Sequence, residues 1–273
     1  MTASLLALLP VWAGASLFLV VVMAAAWQMQ RQTGQDGWAD AFWSLGLGLA
    51  GFGVSLWSVD GSPPSARQAL VAVLIVLWGL RLGMHIAHRT AREPSDRRYG
   101  ALREGWGEQA AVKMFGFLML QAGAASFLLF SVLLAAHSPG TGTGLGVQDL
   151  LATSILIIAV VGEGLADRQL ARFKATKTPD QSVCDTGLWA WSRHPNYFFE
   201  WLAWCAWPLF AIRLDAAWPW GWLALSAPIY IYWLLKRVSG IPLLEAHMRV
   251  TRPEAFKAYA ARTSAFFPRP PKP

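Results

Sequence analysis

The chain has 273 residues, of which 55% are hydrophobic and only 14% are charged, and it contains 16 tryptophans. This composition is typical of polytopic membrane proteins, and the apolar runs are too long and too closely spaced for separate soluble cores. The net charge of +7 would suit nucleic acid, but its distribution between the apolar runs indicates membrane topology instead. We therefore predict a single membrane domain, residues 1–273, that contacts membrane lipids and no nucleic acid.

Apolar runs long enough to be spans follow one another along the chain. They cover residues 5–28, 41–59, 69–88, 113–136, 147–170, 198–212 and 218–235. The first run exceeds a signal-peptide core in length and is interpreted as a retained span. The sixth run is short, at roughly 22 Å against a hydrocarbon core of roughly 30 Å. The sequence thus predicts an all-α polytopic bundle of about seven transmembrane helices.

Basic residues lie almost entirely in alternate connections between these spans. Large groups follow the third, fifth and last spans, whereas Arg67 and Arg213 fall on the opposite side. Because cytoplasmic loops carry an excess of Lys and Arg, this pattern predicts an N-terminus outside and a C-terminus in the cytoplasm.

The second span begins near a carboxylate and continues with glycines. Gly46, Gly48, Gly51 and Gly53 permit close helix packing. Asp40, at the cytoplasmic entrance, has two interpretations. It caps the helix N-terminus, or it supplies a proton or a hydrogen bond to a substrate held between helices.

The third span carries Arg81, His85, His88 or Arg89, and Arg92 at helical spacing, so that they share roughly one face. Arg89 and Arg92 are explained as cations that reach the membrane surface. Arg81 and His85 lie a turn or two deeper, where the alternative is that they line a polar cavity.

The fifth span carries Glu163 and Asp167, with Lys174 further along the same helix. Carboxylates this close to a membrane span normally face partners or water. Either both carboxylates pair with Arg81 or Arg89 and join two helices, or Asp167 and Lys174 frame a charged ligand.

A polar run, Gly187 to Tyr197 closed by Glu200, lies between apolar spans and concentrates cation, imidazole, amide, phenol and carboxylate. Pro195 predicts a helix start, so that Arg193 and His194 precede N–H groups that favour anions. Lys174, Lys177 and Arg237 add cations from other segments of the same predicted side. The combination suits a phosphate-bearing ligand; the alternative is a solvated basic rim that serves only topology.

Two further patterns predict no site. The glycine-rich residues 139–146 lack the spacing of a phosphate-binding loop and follow no strand, so we predict a turn. Cys184 and Cys205 lack metal-ligand spacing, and no metal site is expected.

The C-terminal segment, residues 239–268, is predicted to be an interfacial lid. Ser239-Gly240-Ile241-Pro242 ends the last span near Arg237. Residues 243–248 and 253–262 then predict short amphipathic helices, with Phe256 and Tyr259 on the apolar side and Arg252, Lys257 and Arg262 on the polar side.

The polar run resembles a known family. Gly187-Leu188-Trp189, Ser192-Arg193-His194-Pro195-Asn196-Tyr197 and Glu200 resemble the membrane steroid 5α-reductase-like family, including its bacterial branch of unassigned members, and more distantly the sterol C14-reductases. The other matches are Asp40 with Trp43; Arg81-Leu82-Gly83 with Arg89, Asp96 and Arg98-Tyr99; Ala166-Asp167 with Phe173-Lys174; Ser239 to Glu245; and Arg262 to Pro268. The resemblance spans nearly the whole chain, although isoprenylcysteine-type methyltransferases carry a string similar to Arg193–Tyr197.

This resemblance implies a seven-helix bundle in a bacterial inner membrane, with an active site that opens to the cytoplasm. It implies that NADPH binds there and that hydride passes to the β carbon of an enone in a lipid-soluble substrate, while a protein acid stabilises the enolate oxygen. The cofactor-binding residues implied are Arg98, Asp167, Lys174, Trp189, Arg193, His194, Asn196, Tyr197, Arg237 and Glu245. Glu200 is implied to lie near the nicotinamide and is assigned a catalytic role.

The chain departs from the animal steroid 5α-reductases where those enzymes address the steroid carbonyl. Their second span carries a Gln-Glu pair and their third a Tyr, whereas this chain has Asp40 and Ile86 in the corresponding stretches. Asp40 and His85 are the nearest substitutes and complete the predicted catalytic set.

Two other functions stay open at this point. One is a membrane methyltransferase that uses S-adenosylmethionine, which the same fold family admits, and the other is a non-catalytic lipid-binding protein. The basic surface favours NADPH, because S-adenosylmethionine carries no phosphate.

Overall fold

The computed structural model describes residues 5–92, 97–139, 144–176, 183–215 and 217–272, with the side chains of residues 97, 98 and 101 outside that set. The protein is 81% helical, and the described residues form no strand, which confirms the all-helical prediction. Within the glycine-rich turn predicted at residues 139–146, residues 140–143 lie outside the described residues, as do Asp96 and Lys177.

The helices follow one another with short connections. They are α1 (Leu5–Thr33), α2 (Trp38–Leu56), α3 (Ala66–Thr90), α4 (Arg97–Trp106), α5 (Ala110–His137), α6 (Val147–Thr176), α7 (Leu188–Trp191), α8 (Pro195–Ala211), α9 (Ser226–Trp233), α10 (Ile241–Thr251) and α11 (Pro253–Arg262). The described chain forms two compact units: unit 1 comprises Met1–Ala152 and Trp207–Ser226, and unit 2 comprises Thr153–Ala206 and Ala227–Pro273. The single membrane domain stays a prediction.

Five helices are long and apolar enough to cross a membrane. They are α1, α2, α3, the stretch Leu102–His137, which runs from α4 through the 3₁₀ turn Gly107–Gln109 into α5, and α6. Each contains most or all of one of the first five predicted spans, so an integral membrane protein is supported.

The predicted seventh span, residues 218–235, is not one regular α-helix. Residues Pro219–Leu225 form a 3₁₀ helix, α9 follows, and Leu234–Val238 form a π-helix. Pro228 has no N–H and therefore cannot make the α-helical bond to the carbonyl of Ala224. Ser131 Oγ donates to that carbonyl instead, at 3.1 Å. The helical path ends at Val238, which confirms the predicted break near Arg237.

The start of α2 corrects one interpretation of Asp40. The helix begins at Trp38 with Gly37 as its N-cap, so Asp40 lies in the first turn and is not the capping residue. The next helix is capped as sequence rules describe: the Ser65 side chain accepts from the Gln68 N–H, and the Gln68 side chain accepts from the Ser65 N–H.

Glycines bring α2 and α3 into backbone contact in unit 1. A Cβ built on Gly79 would lie 2.9 Å from the Gly48 Cα and 2.9 Å from the Ser44 carbonyl oxygen. Real Cβ atoms do not approach backbone so closely, so the two helices pack where only glycine fits. The close packing predicted from the α2 glycines is confirmed for Gly46, Gly48 and Gly51, but not for Gly53.

We expect Gly79→Ala to destabilise the protein by about 1–3 kcal/mol, because the added methyl group meets backbone that must move. Gly53→Ala in α2 is the matched control, since a Cβ there meets nothing within 4 Å. Thermal unfolding in detergent, followed by tryptophan fluorescence, compares the two variants. Equal midpoints would contradict the proposed packing constraint.

A buried ion pair joins the starts of α3 and α6. Arg67 Nε lies 2.7 Å from Asp149 Oδ1, and both side chains are almost fully buried. Arg67 also donates to the Ser138 carbonyl at 3.0 Å, and Asp149 accepts from the Gly146 N–H at 2.8 Å. Arg67, one of the two cations that the sequence places opposite the main basic groups, is thus a structural residue.

Candidate functional site

The polar run of unit 2 is fixed to α6 by hydrogen bonds at its first residues. Gly187 has a φ of +61°, which L side chains rarely adopt, so glycine is required at this turn. The Leu188 N–H donates to Gln169 Oε1 at 3.0 Å, and the buried Trp189 indole donates to the Ala166 carbonyl at 3.0 Å. Trp189 therefore positions the loop, and its single donor is already used.

The C-terminal segment packs directly on the same run. Ser192 Oγ donates to the Phe266 carbonyl at 2.8 Å, and the Arg193 N–H donates to the Ser264 carbonyl at 2.8 Å. The Tyr259 hydroxyl donates to the Trp189 carbonyl at 2.5 Å. The amphipathic helices predicted there are present, and Phe256 and Tyr259 are buried as expected.

Arg193, His194 and Glu245 form a buried charged network. Arg193 Nε and Nη2 lie 2.8 Å and 2.7 Å from Glu245 Oε1, and His194 Nε2 lies 3.3 Å from the same oxygen. Arg193 Nη1 donates to the carbonyls of Thr263 at 2.6 Å and Ala260 at 3.3 Å. Because an ionised carboxylate only accepts, the imidazole carries its proton on Nε2 when neutral.

This network uses nearly every N–H of the Arg193 guanidinium within the protein. The side chain is only 12% exposed. Arg193 and Glu245, both predicted to bind the cofactor, therefore hold the polar run against α10 and the C-terminal segment. Their direct contact with a cofactor stays a prediction.

The two titratable partners of Arg193 have shifted pKa values. Burial lowers the pKa of His194 more than its hydrogen bond to Glu245 raises it, so the imidazole is held neutral. Burial opposes ionisation of Glu245, but hydrogen bonds from His194 and Arg193 outweigh it and lower the pKa of that carboxyl group. A neutral imidazole and a carboxylate therefore coexist in the network.

We expect acid to destabilise unit 2, starting near pH 6.5. In the unfolded chain histidine is protonated below about pH 6.5, whereas His194 in the folded protein is protonated only at a lower pH. The free energy of unfolding therefore decreases as the pH falls from about 6.5 to the lowered pKa of His194. Glu245 adds a loss at still lower pH, as the pH falls through its lowered pKa. His194→Gln keeps a donor to Glu245 without titrating, and its unfolding midpoint should fall less than wild type between pH 7.5 and pH 5.5. Parallel curves for the two proteins would contradict this assignment.

Asn196, Tyr197 and Asp167 form the open part of the site. Asn196 Nδ2 lies 3.4 Å from Asp167 Oδ1, so two of the predicted cofactor-binding residues lie together. The Tyr197 ring stacks on His194 with centroids 5.6 Å apart and planes at 11°. All three side chains are half-buried, which leaves polar atoms accessible to a ligand.

The remaining predicted residues of unit 2 differ in exposure. Lys174 at the end of α6 and Arg237 in the π-helix are exposed cations. Glu200 is buried in α8, where its carboxylate accepts from the Trp204 indole at 2.9 Å. Glu200 is thus oriented by a residue one turn away.

Unit 1 contains a second polar cluster, built around Asp40. The Tyr99 hydroxyl donates to Asp40 Oδ1 at 2.7 Å, and Gln121 Nε2 donates to the Tyr99 oxygen at 3.1 Å. Tyr99 is only 3% exposed. His85 is half-buried on α3, and the side chain of Arg98 lies outside the described residues. No catalytic role was predicted for Tyr99, whose only signal in the sequence is its place in the Arg98-Tyr99 string.

Comparison with known proteins identifies a family but no activity. The family model described as "Protein of unknown function (DUF1295)" matches residues 26–263, and this family includes steroid 5α-reductase-like members. An uncharacterized protein of Schizosaccharomyces pombe is 27% identical over 233 residues, which cover 75% of this chain and 64% of that protein. The match thus spans less than two thirds of that relative. No solved structure matches the chain significantly.

Proposed function

Since this chain belongs to the DUF1295 family, we propose that it is an NADPH-dependent membrane reductase that acts on an activated C=C bond of a lipid-soluble enone. The observation that carries this proposal is the half-buried cluster on unit 2, in which Asn196 meets Asp167 next to the stacked pair of His194 and Tyr197. Polar and ionisable residues that lie beside membrane-spanning segments are candidates for a functional site.

The residues of this cluster fit a phosphorylated dinucleotide. A carboxylate accepts from ribose hydroxyls and an amide both donates and accepts, which are the roles assigned to Asp167 and Asn196. The exposed cations Lys174 and Arg237 are assigned to phosphates. The carboxylate of Glu200 is assigned to the nicotinamide amide. The cofactor, when bound, supplies the hydride.

The proton of the reaction is assigned to the Asp40 cluster. Reduction of an enone places negative charge on the carbonyl oxygen after hydride reaches the β carbon, and an acid must then supply one proton. The Tyr99 hydroxyl is assigned to give its proton to the enolate, and the Asp40 carboxyl group, 2.7 Å away, is assigned to return a proton to the phenol. Gln121 keeps the phenol oriented throughout. His85 is assigned to the substrate carbonyl.

The proposal includes seven spans, with α8 as the sixth and the helical path from Pro219 to Val238 as the seventh. At about 1.5 Å per residue, the 17 residues of α8 give a length of roughly 25 Å. A helix of this length crosses a locally thinned bilayer or lies partly inside the bundle. The basic loops then lie on the cytoplasmic side of a bacterial inner membrane. The short helices α10 and α11 lie at its surface, where they hold the polar run.

Ligand binding tests this function against its alternatives. We expect NADPH to raise the unfolding temperature of purified protein, whereas S-adenosylmethionine has no effect; protection by S-adenosylmethionine alone would indicate a methyltransferase. Protection by neither would favour a lipid-binding protein without catalysis.

A variant at the open part of the site refines this test. We expect Asn196→Ala to weaken NADPH binding about fivefold to tenfold, because one or two hydrogen bonds to the ligand are lost. Lys257→Ala, an exposed cation of α11, is the control and should bind normally. The affinities come from titration of tryptophan fluorescence. Unchanged affinity in Asn196→Ala would remove this residue from the site.

A further inference from the structure

A separate cavity of about 290 Å³ lies within unit 2, on the C-terminal residues. It is lined by Arg193, residues 260–265, Arg269, Pro270 and Lys272. The proposed reaction uses none of the residues that follow Arg193 in this set. The cavity therefore needs its own explanation.

Backbone hydrogen bonds hold the walls of this cavity in place. The Arg269 N–H donates to the Trp191 carbonyl at 2.9 Å, and the Lys272 N–H donates to the Arg262 carbonyl at 2.9 Å. The proline-rich end of the chain is thereby folded back on α11 and on the polar run. The walls of the cavity are therefore fixed by hydrogen bonds to the rest of unit 2.

The cavity carries positive charge that the protein does not neutralise. Arg193 is paired with Glu245, and Arg262 contacts Asp185. Arg269 and Lys272 are exposed, and neither forms an ion pair within the part of the chain that the structure describes. An anion that enters the cavity therefore meets two available cations, three residues apart in the chain.

Exposed aromatic side chains lie in the same backbone segments. Trp191 is 47% exposed and precedes Arg193, and Phe267 is 37% exposed and precedes Arg269. Aromatic rings together with Lys and Arg are the combination that proteins place at a membrane surface. The volume lies at the lower limit of small-molecule sites, so it suits a headgroup better than a whole dinucleotide.

We propose that this cavity binds a phosphate group and that the phosphate belongs to the headgroup of an anionic phospholipid. Arg269 and Lys272 contact the phosphate, and Trp191 with Phe267 contact the glycerol and acyl region. The site does not depend on the proposed reductase activity, because NADPH binding is assigned to other residues.

Native mass spectrometry tests this site. The full chain is incubated in detergent with phosphatidylglycerol or phosphatidylcholine, and the fraction of protein that keeps a bound lipid after release from detergent is measured. We expect wild type to retain phosphatidylglycerol more strongly than phosphatidylcholine. In Arg269→Gln/Lys272→Gln this preference should fall about twenty-five-fold, at about fivefold per cation. The charge-matched control, Arg252→Gln/Lys257→Gln in α11, should behave as wild type. Equal retention of the two lipids by wild type would overturn the proposal, as would equal loss in the control.

Two further measurements distinguish a lipid phosphate from a nucleotide phosphate as the group bound in the cavity. The charge-conserving variant Arg269→Lys/Lys272→Arg should retain phosphatidylglycerol, which excludes a purely structural effect of the first variant. NADPH affinity should be unchanged in Arg269→Gln/Lys272→Gln. Loss of NADPH binding together with unchanged lipid retention would make the cavity a nucleotide phosphate site and would overturn the lipid assignment.

Discussion

Replacing Glu245 by alanine is expected to destabilise unit 2 by about 3–5 kcal/mol, the cost of removing one partner from a buried ion pair. The substitution leaves the Arg193 guanidinium without its carboxylate at a site where only 12% of that side chain is exposed. It also removes the acceptor of the buried His194 imidazole. Thermal unfolding and limited proteolysis in detergent should both report this loss.

The same variant separates positioning from direct binding. Removing a carboxylate that repels phosphate would by itself raise NADPH affinity. We expect the affinity to fall in Glu245→Ala, because the polar run that carries Asn196 loses the ion pair that holds it in place. Glu254→Ala, an exposed carboxylate in the first turn of α11, is the control and should match wild type in both stability and affinity.

A double variant tests whether the two charges of the ion pair are energetically coupled. Arg193→Ala/Glu245→Ala removes both charges, so it should be less destabilised than the sum of the two single variants. If the single and double effects add, the two charges are not coupled and the network does not anchor the run.

Much of the local structure of this network could be predicted from sequence. Pro195 begins α8 because its fixed φ suits a first helical residue. Phe256 and Tyr259 are buried because their spacing places both on one face of α11. Such features depend on residues within a few positions of one another, which is the range over which a sequence pattern carries information.

The partners of the charged residues could not be predicted in the same way. Arg193 precedes a helix N-terminus, a pattern that indicates an anion site, yet its carboxylate partner lies 52 residues along the chain. Asp40 looked like a helix cap, whereas its hydrogen-bond partner, Tyr99, is 59 residues away. Which ionised groups meet depends on how helices pack, and the spacing of side chains along one helix does not report that.

The hydrogen bond between Tyr99 and Asp40 gives the second large effect. Tyr99→Phe should lower the turnover of a lipid-soluble enone about 10²–10⁴-fold, the usual contribution of a positioned general acid. The benzene ring keeps its place among Met23, Met114 and Leu118, so the fold should be preserved. Since Asn196 and Asp167 are untouched, NADPH affinity should stay at the wild-type value.

Asp40→Asn tests the other half of the pair. The amide still hydrogen-bonds to the phenol but cannot supply a proton, so turnover should fall while the unfolding temperature changes little. Tyr230→Phe is the matched control, since Tyr230 stacks on Trp233 in α9 and has no assigned role in proton transfer. Initial rates of NADPH oxidation, measured with a steroidal and a linear enone, compare the variants on whichever substrate wild type reduces. Wild-type turnover in Tyr99→Phe would show that the proton comes from elsewhere, and His85 would then be the next residue to replace.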